Sequence, residues 1–355
     1  MNRQLWSALV ASLCLGPSMS AQERVLSEQM SGFPCDEPGI EKGVSACYAG
    51  HIGNALVMAG GCNFPDALPS KGGTKRYYKG IYAATPDSSR SLHWKLVGWL
   101  PEEAAYGVSV TLPDGMLCIG GNNQVHSLAS VLKISFDGHK ATVTALPPLP
   151  HGMDNFTGCM ADSVVYVMGG TEVLALDLRR LDEGWRKLSS TTEVRVQPVS
   201  GISGGRFCVW GGFSPKTSES AASLSLDGFT LGPDSLKTLP APLSPDGEEI
   251  FLGGAAAINV EPGIILTVGG VNKDIFLPAL NASQPGYMEH EKEWYRFNPY
   301  ISVWKDGRWH IVGRTQDTAR AGASLVSYEN QVYVIGGELK PGVRTPVVIR
   351  LSIQP

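Results

Sequence analysis

Two residues of opposite charge, Glu338 and Arg344, share the run Gly337-Glu338-Leu339-Lys340-Pro341-Gly342-Val343-Arg344-Thr345. Pro341-Gly342 at its centre suits a type II turn, because proline presets the second φ and glycine accepts the positive φ of the third position. Such a turn returns Arg344 toward Glu338. A carboxylate beside a guanidinium offers two chemistries. The carboxylate can take a proton from a hydroxyl as a general base. The guanidinium can grip a carboxylate-bearing ligand in a planar fork. An ordinary loop ion pair is the plainer reading of the same spacing.

The elements that would position this pair are written as a repeat. Six apolar runs end in a glycine doublet: ALVMAGG, MLCIGG, VVYVMGG, FCVWGG, IILTVGG and VYVIGG, with first glycines Gly60, Gly120, Gly169, Gly211, Gly269 and Gly336. A spacing of roughly 50 residues is that of propeller blades. Upstream of each doublet lies an alternating stretch rich in small residues, such as SACYAGHI or AGASLVSY. Small side chains suit the innermost strands, where blades crowd the axis. Trp94, Trp185 and Trp309 fall in outer parts of blades, as packing between neighbours. These features resemble the kelch repeat and imply an all-β, six-bladed kelch-type propeller. Only one clear strand, at 345–353, follows the last doublet. The strand missing from a four-stranded blade is therefore expected from residues 24–30, closing the last blade with the N-terminus.

Each doublet ends the second strand of its blade, so the residues after it collect at one end of the ring. Asn63 and Asn272 lie there, and Asn155 lies in an upstream stretch; all three are candidate substrate contacts. Arg320 opens the sixth inner strand and either lines the channel or serves the blade structurally. The insertion at 272–298 carries Glu289, His290, Glu291 and Glu293. It reads as a lid over the channel mouth or a solvated loop rather than a metal site. The histidines are scattered, and neither metal nor cofactor is expected. Gly72-Gly73-Thr74-Lys75 lacks P-loop spacing, so the stretch after it reads as a passage from loop to strand.

Composition narrows the partners. Net charge is −4, with 29 basic and 33 acidic residues and no basic run, which argues against nucleic acid. Arg3, the apolar stretch 5–15, the break Gly16-Pro17 and the small residues Ser18-Met19-Ser20-Ala21 form a signal-peptide pattern. Residues 1–21 are expected to be removed, leaving 22–355 as an exported, periplasmic propeller with no membrane span. Cys14 would go with the leader. The six other cysteines read as small buried apolar residues, with disulfides left open by their spacing.

The Glu338–Arg344 run resembles a signature of the N-acetylneuraminate epimerase family of sialic-acid mutarotases. Gly269-Gly270-Val271-Asn272-Lys273-Asp274-Ile275-Phe276 and Ala105-Tyr106-Gly107-Val108-Ser109 are similar to two further family segments. The resemblance implies Glu338 as proton acceptor, Arg344 as its partner on the substrate carboxylate, and Tyr106 as a further contact. The segments occur in rotated order, with the Glu–Arg loop in the last blade, as in a cyclically permuted branch. The implied reaction is cofactor-independent anomer exchange of sialic acid by ring opening. A non-catalytic propeller that binds a glycan or protein is the competing reading. Sialidase is disfavoured because Ser-x-Asp-x-Gly-x-Thr-Trp is absent. The scattered histidines disfavour a copper oxidase.

Overall fold

The computed structural model describes residues 25–231 and 235–353. Six large antiparallel sheets form among the described residues, five with four strands and one with three. Blade 1 begins with Tyr48–Ile52, blade 2 with Val108–Leu112, blade 3 with Thr157–Ala161, blade 4 with Val199–Ser203, blade 5 with Ala255–Glu261 and blade 6 with Ser324–Tyr328. Each of these inner strands neighbours the next, and the sixth returns to the first. The ring is a six-bladed β-propeller. Its last blade is closed by Val25–Met30, which pairs antiparallel with Val348–Ile353 from Val25↔Ile353 to Met30↔Val348. Glu28 pins that closure through ion pairs with Arg350 and Arg90.

The doublet strands read as unbroken apolar runs because both of their faces are buried. In blade 1 the strand Ala55–Ala59 is buried throughout. Its alternate residues Leu56 and Met58 pack with Tyr333 and Val326 of blade 6. Ala55, Val57 and Ala59 pack with Met116 and Ile134 of blade 2. The period-two alternation of a strand thus feeds two cores, and the apolar clusters sit between successive blades around the ring. Trp304, Trp309 and Trp210 fill one such interface, with ring centroids 4.9–5.5 Å apart. Trp185 donates to the Pro147 carbonyl across another. The cysteines described are free thiols, mostly buried.

The glycine doublet has a packing reason. Gly336 and Gly337 both have positive φ, 64° and 101°. A Cβ on Gly336 would lie 2.2 Å from the Val44 carbonyl oxygen, and that oxygen accepts from the Gly337 N–H at 2.8 Å. The first glycine makes room for the carbonyl that the second glycine binds. Blades 1, 2 and 5 repeat the arrangement at Gly60, Gly120 and Gly269.

Blade 3 departs from the pattern expected of it. Its second strand runs from Val164 to Asp177 straight through Gly169-Gly170. Irregularities in register at Gly170/Glu172 and Val173/Leu174 replace the loop. This blade is the three-stranded one, so Thr171 and Glu172 are strand residues rather than part of the mouth loops. The insertion at 272–298 also holds more structure than a loop: a helix, Lys273–Asn281, and a 3-10 turn, Lys292–Tyr295. No helix among the described residues is long and apolar enough to cross a membrane. The leader expected at 1–21 lies outside the described residues.

Candidate active site

Six residues, one ahead of each inner strand, set the floor of the site. Tyr106 N–H donates to the Ala46 carbonyl, Asn155 to Tyr106, Gln197 to Asn155, Gly254 to Gln197, Gly322 to Gly254, and Ala46 back to Gly322, all at 2.7–3.1 Å. All six have positive φ, between 51° and 70°. The left-handed backbone turns each N–H and C=O along the circumference, and the bonds close a collar around the axis. For the non-glycine members this conformation costs about 1–2 kcal/mol each, offset by the satisfied backbone groups. Below the collar lies a channel of about 490 Å³ lined by the inner strands, with Cys47, Ser109, Thr157 and Ser324 among its wall residues. Ser45, Ala105 and Ala321 precede the collar residues, and the candidate pair sits on their side.

Glu338 and Arg344 face each other in a short hairpin of Glu338–Lys340 and Val343–Arg344, directly opposed in register. Pro341-Gly342 makes the turn, with Gly342 at φ 84°. The hairpin is tied to the collar by two backbone bonds between Glu338 and Ala321, at 2.7 and 2.9 Å. Arg344 Nη1 is ion-paired with Glu338, and its Nε donates to Ser45 Oγ at 3.0 Å. Its guanidinium lies 5.2 Å from the centre of the Phe64 ring, within cation–π range. The Arg344 side chain is 4% exposed and that of Glu338 22%. Burial raises the Glu338 pKa above its ordinary value, against the pull of Arg344 and of Lys75. The result is a carboxylate reachable from outside whose proton affinity is increased.

Tyr106 joins them. Burial holds its phenol well above the usual value, so it stays protonated. Lys75 Nζ donates to its oxygen at 3.3 Å. The ammonium lies 5.0 Å from the Tyr106 ring centre, 5.8 Å from Phe64 and 5.9 Å from Tyr77. Beside this cluster, Lys340 donates to the His290 carbonyl in the 272–298 insertion. Phe276 of the helix packs edge-on against Phe213 of blade 4, with ring centres 5.3 Å apart. The insertion, which leaves blade 5, therefore touches both neighbouring blades, 4 and 6.

Over residues 18–143 and 146–355 the chain matches the family described as N-acetylneuraminate epimerase. It belongs to that family. Among curated relatives, N-acetylneuraminate epimerase of Salmonella paratyphi B is 29% identical and that of Haemophilus influenzae 28%. Each match covers 58% of this chain and 58% of the relative. The matched part thus spans less than two thirds of those relatives' length. A solved structure of YjhT superposes with a TM-score of 0.52 at 24% identity, covering 59% of this chain and 67% of that one. That likeness is one of fold.

The remaining candidates from sequence have different surroundings from Glu338. Asn63 is 2% exposed. Its Nδ2 donates to the Gly39 and Gly43 carbonyls and its Oδ1 accepts from Tyr78, all at 2.8 Å. Asn155 is a collar residue whose amide bonds Asp154 and Gln197. Asn272 caps the helix, its Oδ1 accepting from Asp274 N–H at 3.0 Å. Arg320 is 3% exposed and donates to the Gly336, Val347 and Asp317 carbonyls. Arg195 does the same work in blade 4, on Gly211 and Asp227. The Arg320 carbonyl contacts are those of the structural one of its two expected roles.

Ser45, Phe64, Lys75 and Tyr77 were not among the candidates, although they surround Arg344 and Tyr106. All four come from blade 1 or the chain entering it, far in sequence from the hairpin. The only local hint was the aromatic-basic run Lys75-Arg76-Tyr77-Tyr78.

Proposed function

We propose that the protein is a cofactor-independent mutarotase that interconverts the anomers of N-acetylneuraminate. The observation that carries the reading is the Glu338 carboxylate, raised in pKa, partly exposed, and held beside a neutral Tyr106 hydroxyl. Family membership supports the substrate class. In the reaction Glu338 takes the proton of the anomeric hydroxyl. The bond between anomeric carbon and ring oxygen breaks as the carbonyl forms, and the ring oxygen takes up a proton. Rotation about the adjoining carbon–carbon bond and reclosure on the other face return both protons. Tyr106, protonated at the start, gives its proton to the ring oxygen on opening and regains one on reclosure, while Arg344 holds Glu338 in orientation. The 272–298 insertion acts as a lid that keeps bulk water from the opened chain.

Two further parts of the reading belong here. The blade order is a cyclic permutation, supported by termini that meet within blade 6 and by the tolerance of closed rings to moved ends. The chain is exported after loss of its leader, and the mass of the mature protein recovered from the periplasm tests this. The activity is tested by NMR of freshly dissolved anomerically pure N-acetylneuraminate at fixed pH and buffer, with and without protein. Faster exchange for this sugar acid than for galactose is expected. Acceleration of neither leaves the binding-module reading in its place, and equal acceleration of both keeps a mutarotase but refutes its selection for the sugar acid.

A further inference from the structure

A sugar acid of the proposed kind carries its carboxylate on the anomeric carbon, so the site needs a cation beside its base. Arg344 was the expected receiver, but its geometry is poor for that task. Its Nη1 is paired with Glu338 and its Nε with Ser45. Its guanidinium carbon lies 5.2 Å from the Phe64 ring centre, and the side chain is 4% exposed. An incoming carboxylate gripping the fork through Nη1 would compete with Glu338, the base itself.

Lys75 is placed differently. Its ammonium has one hydrogen bond, to the Tyr106 oxygen, and no carboxylate partner among the described residues. The rings of Phe64, Tyr77 and Tyr106 stand around it. Three aromatic faces stabilise the charge while restricting water, which strengthens its attraction for an anion. The bond from Lys75 places the ammonium directly on the Tyr106 oxygen. Lys75 is also near enough to Glu338 to oppose the rise in its pKa. Cation, phenol and base are therefore neighbours, as a carbon bearing both a carboxylate and a reacting hydroxyl requires.

We propose that Lys75, rather than Arg344, receives the substrate carboxylate, and that Arg344 is a positioning residue for Glu338. This assignment rests on the sugar-acid reading above and names the group that selects for the acid.

The test compares N-acetylneuraminate with its neutral C1 amide, by calorimetric binding and by anomer-exchange NMR. Lys75→Met should weaken binding of the acid about 10- to 100-fold, the worth of a charge-assisted contact, and leave the amide unchanged. Lys75→Arg should restore most of the preference for the acid. Arg344→Gln should slow exchange yet keep the acid-over-amide preference. Equal weakening of acid and amide by Lys75→Met would overturn the assignment, as would loss of the preference in Arg344→Gln. A wild-type protein that shows a Lys75-dependent preference but no acceleration would sink the mutarotase reading and leave this one standing. A protein that binds neither compound sinks both.

Discussion

Glu338→Gln isolates the carboxylate's chemistry from its structural work. Glutamine keeps the shape and an acceptor oxygen for Arg344 but cannot hold a proton near neutral pH. General base catalysis is worth about 10²–10⁴-fold, or about 2.7–5.5 kcal/mol of barrier. A loss of two to four decades in the protein-dependent exchange rate is expected. The pair is also structural: removing one member of a buried ion pair outright costs about 3–5 kcal/mol. With Glu338 22% exposed and Arg344 4% exposed, and an acceptor retained, the amide should cost less, about 1–3 kcal/mol. The assay is anomer exchange by NMR across pH, with the buffer rate subtracted at each point, alongside thermal unfolding of both proteins. Burial raises the Glu338 pKa, so the basic form is lost as pH falls through a value higher than that of an unperturbed glutamate. Wild-type activity should fall off there, and the residual activity of the glutamine variant should lack that limb. A folded glutamine variant exchanging within about threefold of wild type, far short of the general-base factor, refutes Glu338 as the base.

Other expectations concern the ring that holds the site. Gly336→Ala should be far more damaging than Gly53→Ala in a chemical-denaturation comparison. Both have positive φ, but only Gly336 has a carbonyl 2.2 Å from the added Cβ, whereas Gly53 has nothing within 4 Å; equal effects would remove the close-approach account of the doublet. Arg320→Met leaves the Gly336 and Val347 carbonyls unbonded and should lower stability by at least about 2 kcal/mol. A rise in KM with no change in thermal midpoint would instead make Arg320 a substrate contact. The hydrogen bond and charge of Arg350 hold the Glu28 carboxyl below its ordinary pKa of 4.5. Its stabilisation of the closed blade is therefore present above that value and fades as pH falls through the lower folded one. The stability difference between wild type and Glu28→Gln should shrink over that acid window, and a pH-independent difference would contradict the ion-pair account.

Much of the architecture was legible because it is written locally. A strand buried on both faces must be apolar at every position, and a doublet that admits a neighbouring carbonyl must be glycine, so the six runs declare six blades. The strand deficit after Gly337 likewise required a partner, and Val25–Met30 supplies it. The Glu338–Arg344 pairing was readable for the same reason: Pro341-Gly342 encodes the turn within the segment it folds. Blade 3 shows where local reading stops. Its doublet looks like the others, yet the strand continues through it, because the choice between loop and strand depends on what the neighbouring chain offers.

The surroundings of the pair were decided by closure of the ring alone. Asn63, Asn155 and Asn272 are polar residues near the mouth, which is all that sequence can say of them. Only the fold turns their amides to the 39–43 segment, to a collar neighbour and to a helix end. Lys75 gains its setting because blade 2 packs on blade 1 and sets Tyr106 beside Phe64 and Tyr77, while closure of blade 6 on blade 1 adds the hairpin. That closure brings a hairpin near residue 340 against side chains near residues 45, 64 and 75. The collar has no sequence signature either, since Ala46, Tyr106, Asn155 and Gln197 share only a positive φ. Such contacts join residues hundreds of positions apart, and no periodicity or spacing within one segment encodes a distance to another.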